Sequence, residues 1–274
     1  MVSDVCAFAP WVLAALLGLV VGSFLNVVIH RLPLMLEREW EALQDAPESS
    51  THFNLAAPAS HCPHCAHPLR WYENIPVLSY LALRGHCRYC QSPIGRQYPA
   101  IELATAAIFI WSFSRHGLTG QAVAWAGFAA TLLALAVIDA RTTLLPDTLT
   151  QPLIWAGLLA AWMGLSDVSL PDALWGAVAG YLFLWSVYWL FRLVTGQDGM
   201  GQGDFKLLAA LGAWFGWQSL LALVMMASLS GLAAGLWLKW RQGLPPGGYI
   251  PFGPFLAGAG GALMLWGVPT WLSW

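Results

Sequence analysis

The sequence has very little charge. Only 9% of its 274 residues are Asp, Glu, Lys or Arg, whereas an ordinary soluble domain carries about a quarter. Hydrophobic residues make up 58% of the chain, and the mean hydropathy is +0.61. The net charge is only −2, and no basic stripe is present that could contact phosphates. This composition excludes a soluble globular domain and a nucleic-acid-binding protein, and it predicts membrane lipid as the surroundings.

The first apolar stretch, residues 8–29, lacks the basic segment that opens a secretory signal peptide. Its nearest basic residues, His30 and Arg31, follow the stretch instead of preceding it. About 20 apolar residues are enough to cross the hydrocarbon core of a bilayer. We therefore expect a retained membrane-spanning helix at this position.

Hydropathy and helix-breaking residues divide the rest of the chain into one polar insert and seven further apolar segments. We expect an all-α polytopic membrane protein with about eight transmembrane helices, divided into residues 1–29, an insert at 30–97 and residues 98–274. Within the insert, residues 36–43 have the spacing of a short amphipathic surface helix, and no internal repeat is expected. The predicted spans are residues 8–29, 99–113, 122–138, 148–163, 173–194, 205–215, 220–240 and 251–268.

The basic residues predict the orientation of these spans. With eight spans, eleven of the twelve Lys and Arg residues lie in the insert or in alternate loops on one side, and only Arg115 lies on the other. Loops rich in Lys and Arg remain in the cytoplasm. We therefore expect the insert and these loops to face the cytoplasm, with both termini outside.

Cysteine is also scarce, and four of the five cysteines form two CxxC pairs: Cys62, Cys65, Cys87 and Cys90. Two such pairs present four thiolates that can close a tetrahedral Zn²⁺ site. Two disulfides are the alternative, which the reducing cytoplasm disfavours. His61, His64 and His67 are alternative ligands, but four thiolates already complete the site. A closed site has no open position for catalysis, so we expect a structural zinc.

Three carboxylates lie within or beside the predicted spans, where ionisable groups are costly and usually functional. Asp139 ends the apolar run of the third span, Glu102 lies early in the second, and Asp204 closes a glycine-rich segment at residues 199–204. Glycine permits close approach and unusual backbone conformations there. The segment is not a dinucleotide-binding fingerprint, because no strand or βαβ unit surrounds it.

The predicted topology places Asp139 and Asp204 at the same depth on different helices. Two neighbouring carboxylates tend to share one proton, so one can act as a general base on water while the other donates to a carbonyl oxygen. That chemistry suits peptide hydrolysis. The residues alone leave a carboxylate-based transporter or channel open, although the paired halves of many transporters are absent, and a non-catalytic scaffold would leave the acids unexplained.

A series of short motifs along nearly the whole chain resembles the type IV prepilin peptidases, membrane aspartyl proteases of the GxGD type. The order of the motifs, more than any one of them, makes the match specific. Besides the cysteine pairs they are GSFLNVVIHRLP (22–33), QYPAIE (97–102), ID (138–139), LPD (145–147), GQGDFK (201–206) and PFGPFLA (251–257).

The resemblance implies an enzyme of the bacterial inner membrane. Such enzymes cleave the short basic leader from type IV prepilins or type II secretion pseudopilins at the cytoplasmic boundary. They then N-methylate the new N-terminal residue with S-adenosylmethionine. The resemblance assigns catalysis to Asp139 and Asp204, with Asp147 as the runner-up for the first position. It also implies that residues 98–274 form the peptidase domain and that the insert is associated with methylation. No S-adenosylmethionine-binding motif is recognisable, so the residues that bind the donor are left open. Our hypothesis is that the cysteine-bearing insert and the cytoplasmic edge of the first span shape that site.

Other polar residues receive structural interpretations. We expect Asp147 to cap the fourth span, and Glu102 to have a structural role, for example as the ion-pair partner of an arginine. Residues 251–254 are expected to be irregular backbone facing the site, which requires cover by protein. Polar groups in spans usually form hydrogen bonds between helices, and this is expected for the face of the first span formed by Ser23, Asn26 and His30.

Overall fold

A computed structural model describes residues 2–42, 53–241 and 250–267 of the chain. These residues form nine α-helices and no β-strand, and every helix except the short α2 corresponds to one predicted span. The predicted all-α polytopic fold class is therefore confirmed for the described residues. The helices are α1 (Val2–Ala42), α2 (Leu78–Ala82), α3 (Gln97–His116), α4 (Gly120–Thr142), α5 (Asp147–Trp162), α6 (Leu170–Thr195), α7 (Gln202–Phe215), α8 (Leu220–Trp240) and α9 (Gly253–Trp266).

Four of the described segments are long and apolar enough to cross a membrane on their own: Pro10–Ala42, Gly120–Thr142, Leu170–Thr195 and Trp217–Trp240. The apolar α9 is shorter. Helix α7 has only 14 residues, about 21 Å, which is less than the roughly 30 Å of a hydrocarbon core. The protein is thus a multi-pass membrane protein, and the count of eight crossings remains a prediction.

Helix α1 differs from the prediction. It runs without a break through 41 residues, including Pro10 and Pro33. Residues 36–42 are thus helical, as predicted, but they continue α1 and do not form a separate surface helix. Residue 43 of the predicted helix lies outside the described residues. A helix of this length extends about 60 Å, roughly twice the hydrocarbon thickness. The last third of α1, from His30 onward, therefore belongs to the polar insert as a direct continuation of the span.

The chain forms two compact units, Met1–Ala130 and Thr131–Trp274. In the first unit α1 packs closely on α3. A Cβ atom at Gly18 would lie 2.6 Å from the Cα of Ala106, and one at Gly22 would lie 2.7 Å from the Cα of Glu102. Glycines four residues apart let helix backbones approach in a membrane, so this pair sets the contact between the two helices.

In the second unit α7 is the central helix, with α5, α6, α8 and α9 packed around it. Its residues from Phe205 to Phe215 are buried, apart from the half-buried Lys206. A second glycine pair, Gly176 and Gly180 of α6, brings its backbone against α7. A Cβ atom at Gly176 would overlap the carbonyl of Gly212. A helix too short to cross the bilayer is thus enclosed by its neighbours.

Candidate functional site

The structure brings Asp139 and Asp204 together inside the second unit. Asp139 lies one turn before the end of α4, and Asp204 lies in the first turn of α7. Their residues are only 4% and 3% exposed. The two carboxylates are close enough for Coulombic repulsion. A buried pair of this kind is expected to hold a proton between its members, which is the arrangement that acid–base chemistry needs.

Asp139 is fixed by the start of α9. The backbone N–H of Gly253 donates to Oδ2 of Asp139 at 3.0 Å. A Cβ atom at Gly253 would lie 2.5 Å from that same oxygen, so glycine is required for this approach. Of the segment 251–254, which was expected to be irregular backbone facing the site, Gly253 does face it, but α9 already begins at this residue. The sequence did not indicate that a backbone N–H would be the contact.

Asp204 is positioned by the glycine-rich segment before it. Its backbone N–H donates to the carbonyl of Gly201 at 3.2 Å. Gly203 lies against Leu145, whose Cβ would be 2.6 Å from a Cβ added to the glycine. The Leu145 side chain also reaches Gly253. Leu145 therefore lies between two backbone segments, the one that precedes Asp204 and the one that supports Asp139. The sequence did not predict this role, although Leu145 belongs to the LPD motif.

Asp147 has a different role from the predicted helix cap. Pro146 occupies the N-cap position, and Asp147 is the first residue of α5. Both carboxylate oxygens of Asp147 accept from Nζ of Lys206, at 2.6 and 2.7 Å. The aspartate side chain is 52% exposed. This ion pair ties the start of α5 to the start of α7 and leaves Asp147 far less buried than Asp139 or Asp204.

The four predicted metal ligands also lie together. The Sγ atoms of Cys62, Cys65, Cys87 and Cys90 all lie within 4.8 Å of one another, and those of Cys62 and Cys90 are 3.8 Å apart. A tetrahedral site with Zn–S bonds of about 2.3 Å has S···S edges of about 3.8 Å. The thiol arrangement therefore fits a zinc ion, and the histidines beside the first pair are not part of this cluster.

The two cysteine pairs are one structural unit repeated after 25 residues. Within the first, Cys62 N–H donates to the His67 carbonyl at 3.0 Å; within the second, Cys87 N–H donates to the Ser92 carbonyl at 2.8 Å. Each is closed by an antiparallel bridge to a proline. The expectation of no internal repeat is wrong here. The available signal was the shared pattern HCxxCxxP, in HCPHCAHP and HCRYCQSP.

Backbone donors prepare the first pair for metal binding. Burial raises the pKa of the Cys62 thiol, but hydrogen bonds from the backbone N–H groups of Cys65 and His64 outweigh burial and lower it to about 6. The thiolate is the form that binds metal. These hydrogen bonds therefore favour the thiolate form of Cys62, the form that a metal needs.

A cavity of about 430 Å³ lies inside the first unit, between α1, the start of α3 and the cysteine pairs. Asn26 lines it and donates to the Tyr98 carbonyl at 3.0 Å, which confirms the predicted hydrogen bonding between helices. Glu102 accepts from the Val77 N–H at 2.7 Å. Its role is structural, as expected, but its partner is a backbone amide. In the described residues Glu102 has no arginine partner.

Fold and site together define a class: a multi-pass helical membrane protein with two buried aspartates on separate helices and a four-cysteine cluster. Two family models match the chain. The model of the Bacterial Peptidase A24 N-terminal domain matches residues 16–116, and that of the Type IV leader peptidase family matches residues 126–241. No solved structure matches the chain.

Relatives that are named Prepilin leader peptidase/N-methyltransferase match over nearly the full length. The protein from Burkholderia pseudomallei (strain 1026b) is 51% identical over 267 residues, covering 94% of this chain and 86% of the relative. That from Pseudomonas aeruginosa is 52% identical over 259 residues, covering 92% and 89%. That from Aeromonas hydrophila is 50% identical over 273 residues, covering 94% and 92%. The chain belongs to the type IV leader peptidase family.

Proposed function

We propose that this protein cleaves the basic leader from type IV prepilins or type II pseudopilins and then N-methylates the new N-terminal residue. The observation that carries the proteolytic half is the buried pair formed by Asp139 and Asp204. The family and the names of its members support both activities.

In the proposed cleavage step one aspartate is ionised and the other protonated. The ionised carboxylate takes a proton from water, whose oxygen attacks the scissile carbonyl, while the protonated carboxyl donates to the carbonyl oxygen. Collapse of the tetrahedral intermediate breaks the C–N bond, and the leaving amine receives the proton that the first carboxylate took from water. The Gly253 N–H takes no part in this proton transfer. It holds Asp139 in place by donating a hydrogen bond to Oδ2.

The two aspartates are proposed to lie at the cytoplasmic boundary of the inner membrane and to face the cytoplasm. Asp139 precedes Arg141 near the end of α4, and Asp204 precedes Lys206 at the start of α7. By the positive-inside rule these helix ends lie on the cytoplasmic side. A basic leader joined to an apolar helix would present its scissile bond at this depth, because the helix remains in the membrane and the leader in the cytoplasm.

For methylation, S-adenosylmethionine supplies an electrophilic methyl group to the new α-amine. The protein's own contribution to methylation is proposed to come from residues of the insert. Zinc held by Cys62, Cys65, Cys87 and Cys90 is proposed to be structural, fixing the two repeated hairpins that form part of the cavity wall. A closed four-thiolate site has no open position for a substrate.

The proposal is tested by incubating the purified protein with a prepilin and measuring product masses. Loss of the leader is expected with or without S-adenosylmethionine, and a further gain of one methyl group only with it. A prepilin that stays intact in the presence of the folded protein would contradict the proposal. A matched incubation with a pseudopilin compares the two substrate classes.

The zinc assignment predicts one metal ion per chain, measured by inductively coupled plasma mass spectrometry. Cys62→Ser and Cys87→Ser should each lose the ion, because three thiolates leave the fourth position of the tetrahedral site without a thiolate ligand and weaken binding. Cys6→Ser is the control, because Cys6 lies outside both pairs, and it should retain the metal. Methylation should fall more than cleavage in the two variants. Equal loss of both activities would make the cluster a global stability element instead.

The Asp147–Lys206 ion pair predicts a small effect on cleavage. With side chains 52% and 27% exposed, such a pair contributes at most about 1 kcal/mol, so Asp147→Ala should slow cleavage by less than about tenfold. Initial cleavage rates of Asp147→Ala and Asp139→Ala should be compared directly. Loss of cleavage in the first variant with retention in the second would show that the catalytic pair is wrongly assigned.

A further inference from the structure

We propose that the cavity of the first unit is the binding site for S-adenosylmethionine, with Glu73 and Asn26 as its buried recognition groups. The inference rests on the proposed methyltransferase activity and gives that activity a location. With about 430 Å³, the cavity lies within the range of roughly 300–1,000 Å³ that is typical of small-molecule sites.

The cavity wall carries two buried acceptors that lack a donor. Oδ1 of Asn26 and Oε1 of Glu73 are both buried without a hydrogen-bond partner, in residues that are only 5% and 8% exposed. Their other side-chain polar atoms are engaged: Nδ2 of Asn26 donates to the Tyr98 carbonyl, and Oε2 of Glu73 accepts from the Arg70 N–H at 2.9 Å. Buried polar groups without partners are costly, so these two oxygens indicate a ligand that donates.

The charged side chains of the cavity wall indicate which class of such ligands fits. Glu73 and Glu102 place two buried carboxylates on the wall. Three arginines, Arg31, Arg38 and Arg88, also line the cavity. The guanidinium of Arg31 donates to the carbonyls of residues 54, 55 and 58, and that of Arg38 lies over the ring of Phe53. The cavity therefore favours a ligand that is rich in N–H and O–H donors and carries both charges, with a cationic group for the two carboxylates and an anionic group for an arginine.

S-adenosylmethionine has this chemistry. Its sulfonium and α-ammonium groups are positive, and its ribose hydroxyls and adenine amine are donors. Tyr80 and Tyr98 are among the residues that line the same cavity, and aromatic side chains can bind a cation. At the rim, Nη1 of Arg88 lies 3.9 Å from Oε1 of Glu73, which is an ion-pair contact beyond hydrogen-bond distance. The side chain of Arg88 is 56% exposed, so it can meet the carboxylate of the donor while the ligand donates to Oε1.

Two variants test the site through binding of the donor. In Glu73→Gln the side chain retains an oxygen for the Arg70 N–H but loses its charge and presents an NH₂ group where the unpartnered oxygen was. Ser79→Trp adds bulk from α2 at a residue that lines the cavity. Leu78→Trp is the matched control, because Leu78 is adjacent on the same helix, is 64% exposed and does not line the cavity.

The readout is the dissociation constant of radiolabelled S-adenosylmethionine, measured by equilibrium dialysis with the full-length protein in nanodiscs. We expect Glu73→Gln to weaken binding by about ten- to a hundred-fold and Ser79→Trp to abolish it. Leu78→Trp should bind as the unmodified protein does. Leader cleavage, measured in parallel, should be unchanged in all three and reports that each variant is folded.

If Glu73→Gln and Ser79→Trp bind the donor as tightly as the unmodified protein, the cavity is not the site, although the methyltransferase proposal stands. If the unmodified protein neither binds the donor nor methylates a cleaved prepilin, the proposed methyltransferase function fails and this assignment fails with it. Equal weakening by Ser79→Trp and Leu78→Trp would also overturn the assignment, since the effect would then not depend on the cavity.

Discussion

Replacing Asp139 or Asp204 by Asn is expected to abolish leader cleavage, with a loss of about a thousandfold or more in rate. Acid–base catalysis by a positioned side chain contributes about 10²–10⁴-fold, and an amide can neither take the proton from water nor donate one to the carbonyl. Asn retains the shape of the side chain, and at residue 139 it retains an oxygen for the Gly253 N–H. The measurement is the initial rate of leader release, followed by mass spectrometry.

Two controls isolate the chemistry from folding. Each variant should still methylate a prepilin from which the leader has already been removed, because methylation does not use this pair. Asp198→Asn provides a matched control, since Asp198 is an exposed aspartate that accepts from the Tyr188 hydroxyl at 2.7 Å, and it should cleave at nearly the normal rate. Near-normal cleavage by Asp139→Asn or Asp204→Asn would contradict the proposed mechanism.

Gly253→Ala is expected to reduce cleavage by about a hundredfold without preventing membrane insertion. The added Cβ would lie 2.5 Å from Oδ2 of Asp139, a separation that forces the carboxylate or the start of α9 to move. A displacement of about 1 Å in a catalytic group can cost about that factor in rate. The initial rate of leader release at saturating prepilin should fall, while methylation of a cleaved prepilin remains unchanged.

Gly258→Ala is the matched control on the same helix. Gly258 is exposed, and a Cβ atom there would meet nothing within 4 Å. It should cleave at the normal rate, and because alanine favours helix over glycine, it should not destabilise α9. Similar rates for Gly253→Ala and Gly258→Ala would show that the close approach of Gly253 to Asp139 is unimportant for cleavage.

Features encoded locally in the sequence could be predicted from it. The span expected at residues 220–240 is found as α8, Leu220–Trp240, because an unbroken apolar run between polar residues determines its own ends. The thiol cluster was also predictable, since two CxxC spacings constrain their ligands whatever the rest of the fold does. Counting spans also placed Asp139 and Asp204 at the same depth on different helices, because it assigns each helix end to one side of the membrane. It could not show that the two helix ends are neighbours.

Contacts between distant residues could not be predicted in this way. The Gly253 N–H reaches Asp139 across 114 residues of sequence, and Lys206 reaches Asp147 across 59. Both depend on how helices pack, which no local pattern encodes. The continuation of α1 through Pro33 was missed for a different reason. Proline usually interrupts a helix, but α1 continues past Pro33 to Ala42.

The repeated cysteine hairpins show a signal that was present and unused. The pattern HCxxCxxP occurs twice, but metal-ligand spacing alone explained the cysteines, so the shared histidine and proline received no interpretation. In the structure these positions form the two antiparallel bridges, His61 with Pro68 and His86 with Pro93. They close each hairpin around its own pair of thiols.

The central claim is that Asp139 and Asp204 act as one catalytic unit, and a double-variant comparison tests it most directly. Single-turnover rates of leader release should be measured for Asp139→Asn, Asp204→Asn and the protein with both changes. Groups that act as a unit are strongly non-additive, so the doubly changed protein should be about as slow as either single variant. A rate loss in the doubly changed protein equal to the product of the two single losses would contradict the account. It would show that the two carboxylates contribute independently.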